Sequence, residues 1–450
     1  MVQTVNVKKG LNIKLQGLAE KVLSKCSTPE SYAVKPTDFY GITPKMLVDE
    51  GGSVKAGAPL FCDKNRPEIV FVSPVAGTLT AINRGERRKI LEVVVTPAEE
   101  NDAIRHVVPD LTSASREELV KFMLQSGVWP FFKQRPYNIV ANPKATPKAI
   151  FISGFDSAPI AADADFLVNG EAANFQKGLD VLKKLTSGKV HLGLCADYPA
   201  NNAFERAKGV EITRYKGPHP AGNVGVHIHK LDPVNKGEIV WTMNPQHVVI
   251  LGRLFETGIY DPSKVVALVG AEVKKPRYYR MIAGAKLSGL SEFTYTGKNP
   301  RVISGNVLTG TKVGIDGYLG FYDNEVAVIT EGNHHEMLGW AMPRFNKFSM
   351  SHTYFSWLFP DKRYNLDTNL NGGRRAFVLS GEYGKVLPMD ILPVYLLKAI
   401  LANDIDKMEQ LGIYEVVEED LALCEFVCTS KIDVQEILRT GINAMIAEMG

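Results

Sequence analysis

The sequence predicts a multidomain α/β protein, and three observations lead there. At 450 residues the chain is too long for a single core. The element pattern changes along it: short strands between turns, then strands alternating with helices, then strands again, then helices. A composition of 45% hydrophobic and 22% charged residues is that of an ordinary globular protein.

Residues 35–97 read as short strands. Met46-Leu47-Val48 leads into Asp49-Glu50-Gly51-Gly52, and Val54 to Phe61 follows, then Ile69 to Ile82. Glycines at 51, 57 and 77 punctuate them at the spacing of a small β-sandwich. The pattern E-G-x-x-V-x-x-G-x-x-L, Glu50 to Leu60, followed by Ser73-Pro74-Val75-Ala76-Gly77, resembles the barrel-sandwich fold of biotinyl and lipoyl carriers. Those carriers present a modified Lys in a tight hairpin. Here Lys64 sits in a longer link with Pro67 inside it, so no covalent attachment is expected. An N-terminal β-rich barrel-sandwich-like domain is assigned to residues 1–112. An intact mass equal to that of the unmodified chain would eliminate a carrier role.

Residues 115–126 predict a helix, with Ser115 as N-cap and Glu117 and Glu118 in its first turn. A connector rich in aromatics and prolines follows, from Trp129 to Pro147. Ala149 to Gly154 reads as a buried strand entering a turn, Phe175 to Leu185 as a helix, Lys189 to Cys195 as a strand, Asn201 to Lys208 as a short helix, and Glu211 to Tyr215 as a strand. This alternation predicts a parallel sheet in a Rossmann-like α/β domain over 113–257. The turn Gly154-Phe155-Asp156-Ser157-Ala158-Pro159 lacks the second and third glycines that let a backbone approach a pyrophosphate, which argues against dinucleotide binding there. Val265–Gly270, Tyr278–Ile282, Arg301–Ser304 and Glu325–Thr330 read as strands of a small β-grasp-like domain over 258–332. Residues 333–450 combine an irregular connector with a C-terminal helical domain, in which Gly412 stops one helix, Glu418, Glu419 and Asp420 open another, and the last starts near Asp433.

Composition removes several classes of function. A net charge of +3 gives no reason to expect nucleic acid as a partner. Five cysteines at 26, 62, 195, 424 and 428 are too sparse and too odd in number for a disulfide framework. The start, Met1-Val2-Gln3-Thr4-Val5, lacks the apolar core of a signal peptide. No run approaches the roughly 20 apolar residues of a membrane span, so membrane association is expected through a partner. Cys424 and Cys428, spaced C-x₃-C, cannot supply four thiolates to an iron–sulfur cluster or four ligands to zinc, and no metal is expected.

The densest local signal is Gly217-Pro218-His219-Pro220-Ala221-Gly222-Asn223-Val224-Gly225-Val226-His227-Ile228-His229. Gly217, Pro218, Pro220, Gly222 and Gly225 fix an unusual backbone path, with Gly222 and Gly225 expected at positive φ. Val226 and Ile228 alternate with His227 and His229 at the period of a strand, which would place both histidines on one face. Such a loop can surround a ligand, or be a tight turn with solvated histidines.

The histidine loop, the Ser73–Thr78 turn, and Leu366-Asp367-Thr368-Asn369 through Arg375-Ala376-Phe377-Val378 together resemble one family: the A subunit of the bacterial sodium-translocating NADH:quinone reductase. Lys8–Leu11, Asn83–Glu86, Gly305–Leu308, Ser356–Leu358, Gly381–Tyr383 and Pro388–Ile391 match it in order over nearly the whole chain. The resemblance implies a peripheral subunit on the cytoplasmic side of the bacterial inner membrane. Its partners would be five other subunits, integral membrane subunits among them, in a complex that passes electrons from NADH to quinone and exports Na⁺. The family is similar in architecture to the flavoprotein subunit of respiratory complex I and the C subunit of the Rnf complex, which bind flavin, NADH or iron–sulfur clusters. The A subunit resembles a version without those cofactors, linked to the quinone end of the reaction. A quinone site needs an apolar slot with a few donors. His219, His227 and His229 are candidate donors, and Trp129, Phe131 and Phe132 a candidate wall, although Trp129–Phe132 would equally serve as a plug between domains. The alternative is a docking module with no chemistry of its own.

Overall fold

The computed structural model describes residues 2–197, 203–293, 299–334 and 336–449. Its N-terminal part is a sandwich of two small antiparallel sheets. One orders Tyr32–Val34, Ile90–Pro97, Gly77–Arg84 and Ser53–Val54; the other orders Pro44–Met46, Pro59–Asp63 and Val70–Val72. Leu60, Phe61, Leu79, Val93 and Val95 are sealed inside. The Ser-Pro-Val-Ala-Gly turn is closed by the Ser73 hydroxyl, which donates to the Val75 carbonyl at 2.6 Å. Gly77 is required there because a Cβ would lie 2.0 Å from the Thr96 carbonyl oxygen. Lys64 is exposed in the turn between Pro59–Asp63 and Val70–Val72.

The second part is built on a seven-stranded sheet, ordered Gln3–Asn6, Glu211–Lys216, Lys189–Cys195, Ala149–Ser153, Val240–Thr242, Lys133–Arg135, Ile139–Val140. The first five are parallel; the last two run antiparallel at one edge. The chain's first strand thus completes a sheet formed mainly by residues 133–242, because the edge strand Glu211–Lys216 would otherwise present unpaired backbone groups. The helix at 115–126 is Arg116–Gln125, held by a reciprocal capping box between Ser115 and Glu118. Ala172–Lys183 and Pro245–Thr257 pack face to face. Gly178 and Gly252 allow that approach: a Cβ at Gly252 would fall 1.8 Å from the Asn174 carbonyl oxygen. The short helix expected over 201–208 begins in residues outside those described, and residues 203–206 form turns.

A six-stranded sheet follows, ordered Thr311–Val313, Pro300–Ser304, Glu325–Thr330, Ser263–Val269, Arg277–Ile282 and Leu23–Ser24. The connector at 333–382 has little regular structure apart from the 3₁₀ turn Phe355–Leu358. The helices Pro393–Leu401, Ile405–Gln410, Ala422–Val427 and Val434–Met449 bury Leu396, Leu397, Met408, Cys424, Leu438, Ile442 and Met445 in a second core that includes Val265, Val269 and Ala327 of the six-stranded sheet. Gly412, at φ 87°, ends Ile405–Gln410 as expected. Cys424 and Cys428 are both buried, and the Tyr383 hydroxyl donates to Cys428 Sγ at 3.0 Å. Burial pushes the Cys424 thiol up, so it keeps its proton.

Candidate functional site

The parallel strands place the site. From Ala149–Ser153 the chain crosses over to Lys189–Cys195 on one side. From Glu211–Lys216 it crosses to Val240–Thr242 on the other. The strand order therefore reverses between Ala149–Ser153 and Val240–Thr242, and the crevice beyond their carboxyl ends is where ligands bind in open α/β sheets. A cavity of about 640 Å³ lies there, lined by Ser153, Phe155 and Asp156 after one strand, His219, Gly222 and Asn223 after a second, and Met243, Asn244 and His247 after a third. The turn Gly320–Glu325 of the six-stranded sheet and Glu418 and Glu419 of the helical part close it. Five segments far apart in sequence thus share one volume, large enough for a drug-sized ligand.

One wall is aromatic. Phe131 stacks on His247, centroids 4.3 Å apart and planes 18° apart, and on Phe321 at 5.1 Å. Lys133 Nζ sits 3.8 Å above the Tyr322 ring. His219 is 4% exposed. Its Nδ1 lies 3.0 Å from the Ser157 hydroxyl, which also accepts the Gly222 N–H at 2.8 Å. The hydroxyl hydrogen is then free for Nδ1, and the ring N–H sits on Nε2. Burial lowers His219 to about 4, so the imidazole is neutral at physiological pH.

Of the residues singled out in the sequence, His219, Gly222 and Phe131 reach this cavity. Trp129 and Phe132 do not. They are fully buried against Trp241, and Trp129 Nε1 donates to the Ala141 carbonyl at 2.8 Å. His227 and His229 are corrected more sharply. Val224–Leu231 is a helix, not a strand. A parallel connection from Glu211–Lys216 to Val240–Thr242 needs a crossover, and this helix supplies it. The helix is only eight residues long and four successive ones, Gly225 to Ile228, are buried, so over that short a run the alternation of Val226 and Ile228 with the histidines reads equally as a strand. Two residues apart on a helix, the histidines point to opposite sides. His227 is sealed against Tyr215, centroids 3.8 Å apart, with Nε2 2.9 Å from the Ala221 carbonyl oxygen. His229 spans to the helical part: Nδ1 is 2.8 Å from Glu415 Oε2, and Nε2 accepts the Asp390 N–H at 3.1 Å.

The loop glycines also act differently from expectation. Gly217 has φ 148°, but Gly222 and Gly225 have no positive φ. They are needed for closeness. A Cβ at Gly222 would meet the Ser157 nitrogen at 2.7 Å, and one at Gly225 would meet Asp420 Oδ1 at 2.2 Å. Gly225→Ala, which on an exposed helix would stabilise by about 1 kcal/mol, is therefore expected to destabilise by roughly 1–3 kcal/mol. Urea denaturation of the variant checks this, and unchanged stability would show that Asp420 moves freely. Pro218 and Pro220 shape the same loop, and Ala221 N–H donates to the Pro218 carbonyl at 2.9 Å.

The sequence reading missed His247, Phe321, Tyr322, Lys133 and Glu325, all of which line the cavity. Glu325 alone carried a signal: an acid heading the apolar strand Glu325-Val326-Ala327-Val328-Ile329.

Fold and site define a multidomain α/β protein with a ligand-sized cavity where the strand order reverses; among the described residues no helix is long and apolar enough to cross a membrane. Three domain families match along it: the NqrA N-terminal barrel-sandwich hybrid domain over residues 5–98, the NqrA second alpha/beta domain over 114–260, and the NQRA C-terminal domain over 265–314. The A subunit of the Na(+)-translocating NADH-quinone reductase of Neisseria gonorrhoeae is 40% identical over 448 residues, covering 99% of this chain and 100% of that one. Its Pasteurella multocida counterpart is 40% identical over the same shares, and that of Yersinia pseudotuberculosis is 39% identical over 97% and 98%. The chain belongs to this family, the A subunit of the Na⁺-translocating NADH-quinone reductase, an enzyme whose activity is that of a multisubunit complex.

Proposed function

We propose that this chain is the peripheral subunit of the quinone-reduction end of the complex, and that a quinone ring binds in the cavity where the strand order switches. The carrying observation is the pairing of a flat aromatic wall, Phe131, His247 and Phe321, with the buried neutral donor His219. That is what a planar ring with two carbonyl acceptors needs. The strand order favours a Rossmann-like reading of the second domain, and the small six-stranded sheet a β-grasp-like reading of the third. The cavity's charge speaks against a phosphate-bearing flavin or nucleotide. Besides Glu325, six acidic side chains line it, those of Asp38, Asp156, Asp323, Glu418, Glu419 and Glu436, against the three cations Lys133, Arg135 and Arg439. We accordingly place no flavin, iron–sulfur cluster or covalent cofactor on this chain. Its partners are then five other subunits, including integral membrane subunits, and it sits on the cytoplasmic face of the inner membrane.

The connector supports the second reading, a docking role without a quinone site. Met337, Trp340, Phe345, Trp357, Leu358 and Phe359 are all exposed there. Large exposed apolar side chains gathered in one segment mark an interaction surface. Equilibrium dialysis of a short-tailed benzoquinone against the purified chain separates the two. Quinone binding that weakens about 5- to 100-fold in His219→Phe, from the loss of one hydrogen-bond donor, is expected. No binding by the wild-type chain, with the connector still needed for assembly, would leave docking as the function.

A further inference from the structure

Glu325 heads the strand Glu325–Thr330 at the cavity floor and is 4% exposed. Its Oε2 accepts the Ala162 N–H at 2.6 Å. Its Oε1 is buried and has no partner among the described residues. The charged groups that act on it are acids: Asp156, on the loop after Ala149–Ser153, and Asp323, on the turn before its own strand. The Tyr278 hydroxyl, on the neighbouring strand Arg277–Ile282, also feels it. Burial, reinforced by Asp156, pushes its carboxyl well above the usual range. The acid therefore holds its proton at neutral pH. Since Oε2 already takes an N–H, the proton belongs on Oε1. The result is a buried O–H donor that lines the cavity and lacks an acceptor, and such a group gains most from a ligand that supplies one. A phosphate or carboxylate ligand would face Asp156 and Asp323 as like charges; a neutral carbonyl oxygen would not.

We propose that Glu325 is a ligand-binding residue of the cavity, donating the O–H of Oε1 to a carbonyl oxygen of the quinone ring. This rests on the quinone reading of the same cavity. Glu325 selects a neutral carbonyl acceptor, and the ring lies between that acid and the aromatic wall.

The test uses the full chain, a short-tailed benzoquinone as probe, and the variants Glu325→Leu and Glu325→Gln, with melting curves beside every binding curve. Wild type is expected to bind with an affinity that falls as pH rises and the acid ionises. Glu325→Leu should bind about tenfold more weakly or worse. Glu325→Gln, whose amide N–H replaces the donor, should stay within about threefold of wild type, and the slope with pH should disappear. If wild type does not bind, the quinone reading of the cavity fails. If wild type binds and Glu325→Leu binds equally well, the reading stands and the role of Glu325 is overturned. Should the Leu variant not fold, the Gln variant decides: a pH slope identical to wild type overturns the proposal.

Discussion

Arg135→Met is expected to destabilise the fold by about 3–5 kcal/mol, the range for breaking a buried ion pair from one side. Arg135 ends the strand Lys133–Arg135, and its side chain is 3% exposed. Nη1 donates to Asp420 Oδ2 at 3.0 Å, and Nη2 to Glu419 Oε1 at 2.8 Å. The Asp420 side chain is fully buried and also accepts the Val417 N–H at 3.0 Å. These bonds tie the α/β sheet to the helical part across the cavity that Arg135 and Glu419 line. Burial already pulls Asp420 up to about 6 against the attraction of Arg135. With the guanidinium gone, burial and the neighbouring Glu419 are opposed only by the Val417 N–H, and the carboxyl rises further. A folded-state value above the unfolded one means the acid contributes stability at low pH and loses it as pH rises. The variant should therefore be least stable, relative to wild type, at pH 8, and closer to it at pH 5. Arg135→Met combined with Asp420→Leu should regain at least half of the loss, because an apolar pair leaves no buried charge behind. Urea denaturation of both variants at the two pH values checks the prediction. A loss under about 1 kcal/mol for the single variant would show that the pair is solvated.

Much of the fold was legible because its signals are local. Ala149–Ser153, Lys189–Cys195, Glu211–Lys216 and Glu325–Thr330 stand where apolar runs between turns placed them, and Ser115 caps the helix whose first turn carries Glu117 and Glu118. The site was legible only in part. The histidine loop drew attention to His219, but the strand period that grouped His227 with His229 came from a helix of only eight residues, a run too short to separate the two periods. The cavity itself was not legible. Phe131, His247, Phe321 and Glu325 come from three separate stretches of the chain, and only the packing of the six-stranded sheet's turn over the end of the seven-stranded sheet brings them together. The same holds for Gly225, whose reason is a carboxylate far along the chain, that of Asp420.

His227→Phe should lose its disadvantage to wild type as the solution is acidified. At pH 7.5 the variant is expected to be the less stable, by about 0.5–1.5 kcal/mol, for want of the bond between Nε2 and the Ala221 carbonyl oxygen. Phe fills a similar volume against Tyr215 and Phe155. Below pH 6.5 the balance shifts. Burial lowers His227 to about 4, against an ordinary value near 6.5 in the unfolded chain. The unfolded state then binds a proton that the folded state refuses, so the stability linked to this group is whole above about 6.5 and drains away toward 4. Between pH 7.5 and 4.5 the wild-type chain should lose roughly 2–3 kcal/mol through His227 alone, and the variant none of it. His219, lowered to about 4 by the same cause, adds a like loss to both proteins, while Glu325, raised by burial, works in the opposite sense in both. Those terms cancel in the difference between variant and wild type, which is why the difference and not the wild-type curve is the measurement. The two stability curves should approach each other as pH falls and cross at about pH 6. Parallel curves across that range would mean that His227 titrates normally, as a ring open to water rather than one held in the core.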